Sequence, residues 1–285
     1  MSQSPAIDTP DRDTDTLHWR ALHEDDLDAA HALSQALGWP HRREDWAMML
    51  RAGEGLALES TAGELIGTGF CFNQGTFATL GLVIVREDWQ GRGLGRAIMT
   101  RLMALAGDRT QILVATTAGA PLYEKLGFIP CQTVCQYHGT VTPPVSLPDR
   151  LAGLRSLLDS DRDLLRALHP LNPVHAEAVQ QATDGVVIER DGQLTGAALL
   201  RPFGRGEHIG PIMAETFEQA RIMVQHLLAR REGHFIRLDL VDSPDDEWLS
   251  MAGLACVDRI MRMQRGPDIS EGPLMRFGLI TQAMG

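Results

Sequence analysis

The chain has 285 residues, enough for one large or two medium-sized domains, and its formal net charge of −11 at pH 7 argues against general binding to nucleic acid or anionic membranes. The composition, 44% apolar and 22% charged, is typical of a globular protein, and no apolar run reaches transmembrane length. Residues 1–16 are polar and acidic, without the basic start and apolar centre of a signal peptide, so we predict a disordered leader. The four cysteines form no C-x-x-C pair, which favours a reduced, cytoplasmic chain.

The first predicted elements are one strand, two helices and two more strands. Apolar residues recur at helical spacing in the helices, and short apolar runs separated by turn residues mark the strands. In order, we predict a strand at 17–22, a helix from 27 that stops at Gly38, a helix that ends near 50, and strands at 55–59 and 65–72.

The central stretch of the sequence, residues 80–107, reads LGLVIVREDWQGRGLGRAIMTRLMALAG. The nearly unbroken apolar run at 80–85 predicts a strand that is buried on both faces. After Gly95, apolar residues recur at helical spacing until Gly107, which supplies a helix stop. The glycines let the backbone turn tightly, and the free amides at the helix start attract anions. The stretch therefore predicts a site for a pyrophosphate.

Two familiar nucleotide-binding motifs do not fit this turn. A P-loop needs Gly-Lys-Ser/Thr after the turn, whereas Gly95 is followed by arginine and alanine. A Rossmann fingerprint needs the spacing G-x-G-x-x-G and an acidic residue at the end of the next strand. Here the spacing is G-x-G-x-G, and the next predicted strand, at 111–115, ends in Thr116 and Thr117.

A second motif follows at residues 115–128, which read ATTAGAPLYEKLGF. Pro121 suits the first turn of a short helix, and Gly127 suits its end. Taken with the Gln90-x-x-Gly93-x-Gly95 pattern, the segment resembles the GNAT N-acyltransferase superfamily. Motif A of that family cradles the pyrophosphate of acetyl-CoA, and a later short helix carries a tyrosine before Leu-Gly-Phe.

The second half of the chain repeats the pattern of the first. The segment GLALESTAGELIG at 55–67 has a counterpart in GVVIERDGQLTG at 185–196, and the central strand has one at 208–215. A helix at 217–230, a strand at 234–241 and a helix that ends near Gly253 complete the repeat.

The repeat lacks the residues that would bind a pyrophosphate. Thr216 and Gln219 form a capping box, so side chains satisfy the free amides of the helix. Glu215 would also repel a pyrophosphate, and Leu249 stands opposite Tyr123. We therefore predict that the second half does no chemistry.

The whole pattern resembles the bacterial tandem GNAT proteins, which pair an acetyltransferase domain with a degenerate C-terminal domain of the YitH type. This resemblance implies a mixed α/β fold of two tandem GNAT domains, each a twisted mixed sheet flanked by helices. The predicted divisions are the leader at 1–16, a catalytic domain at 17–138, a proline-containing linker at 139–149 and a degenerate domain at 150–285.

The resemblance also implies a mechanism, in which an amine attacks the acetyl thioester and CoA leaves as a thiolate. Amides of the central strand would stabilise the oxyanion, and Tyr123 would protonate the thiolate; the alternative for Tyr123 is a ring that only packs beside acetyl-CoA. No metal is expected. The implied acetyl-CoA-binding residues are Val83, Ile84, Val85, Gln90, Gly91, Arg92, Gly93, Leu94, Gly95 and Arg96.

The acceptor side is less defined by the sequence. In this superfamily the loop that contains Trp39 and His41 borders the acceptor pocket, which we expect the second domain to close. The general base stays open among five residues, which are Glu24, Glu87, His41, His138 and His208.

The sequence thus predicts an acetyl-CoA-dependent N-acetyltransferase that acts on a primary amine of a small molecule. Three alternatives stay open: an acceptor on a protein lysine or N-terminus, an acyl-CoA-binding sensor without turnover, and two working sites. We expect no nucleic-acid or membrane partner, and a homodimer is open.

Overall fold

One mixed sheet of 13 strands runs through both halves of the molecule in the computed structural model. The structure describes residues 17–143, 151–169, 171–244, 246–269 and 274–285. The predicted leader and most of the predicted linker therefore lie outside the described residues. Helices cover both faces of the sheet, so the predicted mixed α/β class is confirmed.

The elements of the first half follow the predicted order. They are β1 (His18–Ala21), α1 (Leu27–Ala36), α2 (Arg43–Ala52), β2 (Glu54–Glu59), β3 (Leu65–Asn73), β4 (Phe77–Val85), α3 (Leu94–Ala106), β5 (Thr110–Ala115), α4 (Ala120–Lys125) and β6 (Ile129–Thr140). Strand β6 thus continues two residues into the predicted linker at 139–149.

The second half has the same order of strands and helices, with one additional strand at its end. Its elements are β7 (Leu154–Ser156), α5 (Asp161–Leu168), α6 (Pro173–Gln181), β8 (Asp184–Arg190), β9 (Gln193–Phe203), β10 (Gly206–Ala214), α7 (Phe217–Leu228), β11 (Phe235–Val241), α8 (Glu247–Met251), β12 (Ala255–Arg265) and β13 (Met275–Gly278). Among the helices of the described residues, none is long and apolar enough to cross a membrane.

The first half buries the apolar faces of its helices on opposite sides of the sheet. Helices α1 and α2 pack with Trp46 against Phe70 and Phe72 on one face. Helix α3 packs Ile98 and Leu102 on the other face. Because neighbouring strand residues point to opposite faces and helices cover both faces, residues 66–72 of β3 are all buried.

The internal repeat extends to a matching ion-pair cluster in each half. In the first half, Arg20 of β1 pairs with Asp26 at 2.7 Å and with Glu59 of β2. In the second half, Arg155 of β7 forms the same pairs, with an acid at the start of a helix and an acid of β8. The predicted alignment of the two halves, which places Glu59 opposite Glu189, agrees with this arrangement.

The two halves exchange their final strands. The sheet order is β1-β2-β3-β4-β5-β12-β6-β11-β13-β10-β9-β8-β7, so β12 of the second half lies beside β5 of the first. In return, β6 of the first half pairs with β11 of the second, from Phe235↔Thr140 to Val241↔Val134. Strands β6 and β12 pair with each other along an antiparallel ladder. Each half therefore needs the other to complete its sheet.

The last described residues, 279–285, leave β13 and return to the first half. The backbone of Leu279 donates to Asp239 O at 3.0 Å. Further on, Met284 O accepts hydrogen bonds from Gln74 Nε2 at 2.6 Å and from Thr79 Oγ1 at 3.1 Å. We call residues 279–285 the return segment. Its core residues are buried against β4, so it belongs to the packing of the first half.

The strand exchange predicts that neither half is stable without the other. Residues 1–146 expressed alone would leave the β6 and β5 edges unpaired, so we expect aggregation. Co-expression with residues 147–285 should give a stable one-to-one complex, which size-exclusion chromatography with light scattering would detect. A folded, monomeric first half with a cooperative thermal transition would contradict the prediction.

Candidate active site

The glycine turn before α3 leaves the first amides of that helix without a side-chain cap. Gly93 occupies the N-cap position at φ 79°, and Gly91 has φ 77°. Both values lie in the left-handed region that favours glycine, and a Cβ at either position would meet no atom within 4 Å. The turn thus presents an open backbone cradle at the positive end of a helix dipole, as an anion requires.

Strands β4 and β5 separate next to this turn. They pair in parallel only from Phe77↔Thr110 to Thr79↔Ile112. Beyond that point Leu82 has φ 51°, and the register of β4 against β3 shifts. The separation leaves backbone groups at the end of β4 without a partner strand on the β5 side.

A groove of about 520 Å³ occupies the opening between the strands and the turn, and we call it the glycine-turn groove. Its lining includes eight of the acetyl-CoA-binding residues predicted from the sequence, together with Tyr123. These residues are Val83, Ile84, Val85, Gln90, Gly91, Gly93, Leu94, Gly95 and Tyr123.

Two of the predicted acetyl-CoA-binding residues lie away from this groove. The Arg92 guanidinium folds over the Trp89 ring, 4.6 Å from its centroid, and donates to Asp88 O. Arg96 is exposed on α3 and does not line the groove. The Gln90 side chain donates to Val85 O at 2.9 Å, so it fixes the turn to the end of β4.

Tyr123 extends from α4 into the groove. Its ring packs edge-on against Phe128, and a Cβ on Gly119 would lie 2.8 Å from the ring, so the position of the ring requires glycine there. Burial raises the pKa of Tyr123, which keeps the phenol protonated at neutral pH. The phenol has no hydrogen-bond partner among the residues that the structure describes, so its proton is available to a bound molecule.

A second opening of about 500 Å³ lies between the two halves, and we call it the interdomain cavity. It shares Trp39, Thr116 and Ala118 with the glycine-turn groove, so the two openings meet at these residues. Gly81 of β4 and Ala283 of the return segment also line it. The cavity is thus built by both halves.

His41 is the one candidate base from the sequence that lines either opening within the described residues. Its ring packs against Trp39 and Phe203, and burial lowers its pKa to about 4. His41 is therefore neutral at pH 7, and within the described part of the chain its Nδ1 has no hydrogen-bond partner. His208 is fully buried beside Asp239, and Glu87 is exposed outside both openings.

Arg237 of β11 is a feature of the cavity that the sequence did not reveal. Its Nη2 donates to Asp239 Oδ2 at 2.9 Å, and its Nε donates to the same oxygen at 3.2 Å. Burial would raise the pKa of Asp239, but Arg237 and His208 outweigh it and hold that pKa well below its usual range. The sequence did contain a signal for this pair. Arg237 and Asp239 are two residues apart in an otherwise apolar strand, so they share one face, and charged residues are rarely buried there unless they pair.

The equivalent opening in the second half is filled. Strands β10 and β11 pair in parallel at Glu207↔Ile236 and His208↔Arg237. Beyond these pairs, β13 lies between them and bonds to both. The start of α7 is capped by Thr216 Oγ1, which accepts from Gln219 N at 3.3 Å, while Gln219 Oε1 accepts from the amide of Glu215.

The described residues contain no group of three or more His, Cys, Asp or Glu side chains that could hold a metal ion. By contrast, an acyl-CoA fits the features of the glycine-turn groove: an uncapped helix start, open positions at two glycines, and unpaired strand backbone. The amides of the helix start are the donors that a pyrophosphate needs, and backbone amides of the strand are the donors that a thioester carbonyl needs.

Comparisons with known proteins agree with the repeat in the chain. The family described as acetyltransferase (GNAT) domain matches residues 53–130, and a second family of the same description matches residues 175–273. The uncharacterised N-acetyltransferase YitH of Bacillus subtilis (strain 168) is 30% identical over 279 residues, which cover 93% of this chain and 97% of YitH.

Solved structures share the fold over the whole chain. A proposed acetyltransferase from Pyrococcus horikoshii aligns with a TM-score of 0.75 at 20% identity, covering 100% of this chain and 99% of its own. A tandem GNAT protein from the clavulanic acid biosynthesis pathway aligns with a TM-score of 0.58 at 15% identity, covering 89% and 100%. The predicted resemblance and the predicted tandem fold are confirmed.

Buried neutral histidines predict that the protein loses stability in mild acid. Burial lowers the pKa values of His41 and His175 to about 4, below the value of about 6.5 in an unfolded chain. The unfolded chain therefore binds more protons between these values, and the free energy of unfolding should fall as the pH drops from about 6.5 to 4. The loss is on the order of 2–3 kcal/mol for each histidine.

Urea unfolding at several pH values measures this dependence. His175→Leu should reduce the drop, because it removes one buried group, whereas replacing the exposed His23 by leucine should not. An unchanged pH dependence in His175→Leu would contradict the assignment.

Proposed function

Because the chain belongs to the GNAT family of N-acyltransferases, we propose that its first half transfers an acetyl group from acetyl-CoA to a primary amine of a small molecule. One observation carries the assignment to the first half. The opening between β4 and β5 is free and adjoins an uncapped glycine turn, whereas β13 fills its counterpart between β10 and β11.

The glycine-turn groove supplies the binding groups for acetyl-CoA. The amides at the start of α3 face the pyrophosphate, and the end of β4, at Val83 and Val85, borders the thioester. Acetyl-CoA supplies an activated acetyl group when bound, and a thiol is released. The side chains of Arg92 and Arg96 do not line the groove, and their contact with the pyrophosphate stays a prediction.

Tyr123 holds the proton that the departing sulfur needs. A phenol whose pKa is raised by burial stays protonated at neutral pH, so its proton is present when the thiolate departs. A thiolate with an ordinary pKa of about 8.5 is a weaker base than the phenolate, so the transfer is uphill and is completed when the phenolate regains the proton that the amine loses. The amine must lose a proton before it attacks. His41 lies in the interdomain cavity, but its pKa of about 4 makes it too weak a base to take a proton from an ammonium group of pKa about 10, so we do not assign it as the general base.

A small acceptor fits the interdomain cavity better than a protein tail does. Both halves and the return segment enclose the cavity, which has a volume of about 500 Å³. The four cysteines form no disulfide, in keeping with a reducing compartment, and we place the reaction in the cytoplasm.

Gly93→Val should weaken acetyl-CoA binding at least tenfold, because Gly93 lines the groove and its φ of 79° strains a β-branched residue, which distorts the turn. Gly63→Val is a matched control. Gly63 has φ 78° and open space around it, but it lies in the turn between β2 and β3. Calorimetric titration with acetyl-CoA should show one site per chain, lost only in Gly93→Val. Two sites, or equal effects of both variants, would contradict the proposal.

Tyr123→Phe should lower kcat at least tenfold and leave the Kd of acetyl-CoA nearly unchanged, because it removes the proton donor but keeps the packed ring. The control is Tyr137→Phe, since Tyr137 is the other tyrosine of the chain and donates to Asp246 Oδ2 outside both openings. Its kcat should stay within about twofold of the wild type. An unchanged kcat in Tyr123→Phe would exclude the acid role.

A further inference from the structure

The interdomain cavity has one cationic side chain in its lining among the described residues, and it is Arg237. The side chain is only 11% exposed. Neighbouring His41 is neutral at pH 7, and the one acid of the lining, Asp258, is exposed at the rim. A molecule that enters the cavity therefore meets a guanidinium in its interior.

Arg237 is held in one orientation by Asp239. The carboxylate of Asp239 is fully buried and also accepts from Gln282 Nε2 at 3.1 Å and His208 Nε2 at 3.3 Å. Arg237 donates to it through Nε and Nη2. Its Nη1 has no partner among the residues that the structure describes, so donors are left for a ligand. A guanidinium fixed in this way is a preorganised site for an oxyanion.

A second guanidinium adds to the positive charge at this place. Arg201 of β9 is fully buried, and its Nη2 donates to Ile280 O, while its Nε and Nη1 have no partner among the described residues. The guanidinium groups of Arg201 and Arg237 lie 5.0 and 5.6 Å from the ring of Phe203, which lines the cavity.

Arg201 is buried without a direct ion pair. Among the described residues no carboxylate lies within hydrogen-bond distance of it, and its charge is compensated only through space, by Asp45 and Asp239, which pair directly with Arg42 and Arg237. Burial of a cation without a direct partner is costly. An anionic group bound in the cavity would offset that cost.

We propose that the acceptor of this enzyme is a primary amine that also bears an anionic group, carboxylate or phosphate, which Arg237 binds. The inference rests on the proposed function, because it concerns the acceptor of the same reaction. The amine then lies toward Trp39 and Thr116, where the cavity meets the glycine-turn groove.

The test is an acceptor panel on the full chain, with CoA release as the readout. L-amino acids are compared with their carboxamides and decarboxylated amines, and phosphoethanolamine is compared with ethanolamine. A charge-assisted contact with Arg237 Nη1 should raise kcat/KM of the anionic member of at least one pair by about 10- to 100-fold. The pair that shows the preference distinguishes a carboxylate from a phosphate.

The outcomes separate this inference from the proposed function. Efficient transfer to the neutral members with no preference for the anionic ones would overturn the inference and leave the N-acetyltransferase intact. Absence of CoA release with every amine, despite acetyl-CoA binding, would overturn both.

Variants of Arg237 test the contact itself. Arg237→Met should raise KM for the preferred acceptor at least tenfold and leave the Kd of acetyl-CoA unchanged. Arg237→Lys keeps the positive charge but loses the planar guanidinium, which can donate to Asp239 and to a ligand at the same time. Its KM should therefore lie between those of the wild type and Arg237→Met. Arg205→Met is the matched control, since Arg205 is exposed, packs over Phe235 and lies outside the cavity. An Arg237→Met enzyme that folds and keeps the preference for anionic amines would overturn the inference.

Discussion

The ladder between β6 and β12 is the constraint on which the rest of the structure depends. It joins two long strands from different halves, and each of them pairs on its outer side with a strand of the other half. The halves therefore cannot separate without breaking three strand interfaces. The same strands carry the polar lining of the interdomain cavity, since Gln136 lies on β6, Asp258 on β12 and Arg237 on β11. The exchange thus holds both walls of the cavity in fixed positions.

A single short strand accounts for the structural difference between the openings of two similar halves. Both halves separate two parallel strands beside the start of a helix, but the four residues of β13 pair with β10 and β11 and fill the second opening. The chain then passes from β13 into the return segment. Ala283 of that segment packs closely on Gly81, and a Cβ on residue 81 would lie 2.7 Å from Ala283 Cα. The residues that close one opening therefore also shape the cavity beside the other.

The sequence was sufficient wherever a feature depends on local backbone chemistry. The left-handed conformations of Gly91 and Gly93, the capping of α7 by Thr216 and the short helix with Tyr123 all follow from neighbouring residues. The sequence was insufficient to predict which strands pair with each other in the sheet. The sequence predicted β6 as a strand. Its pairing with β11 depends on residues about 100 positions away, and hydrophobic periodicity reports only on local structure.

Side-chain orientation in folded turns was also beyond the sequence. Arg92 and Arg96 stand beside an anion site in the sequence, yet cation–π stacking on Trp89 draws Arg92 back over its own turn, and Arg96 faces outward on α3. The charge of an arginine near a glycine turn does not determine where its guanidinium lies. The backbone amides, whose direction the turn itself fixes, were the more predictable part of the site.

The buried charges at the interdomain cavity are difficult to explain by stability alone. An interface that only held two halves together could be apolar, and replacing buried ion pairs by apolar residues is often neutral or stabilising. Here Arg201, His208 and Asp239 are fully buried where the cavity, β11 and the return segment meet. The free-energy cost of burying charged groups beside a cavity is expected when those groups bind a molecule that enters the cavity. Under the proposed function, the second half, whose own opening is filled by β13, contributes to the reaction by placing Arg237 in the interdomain cavity.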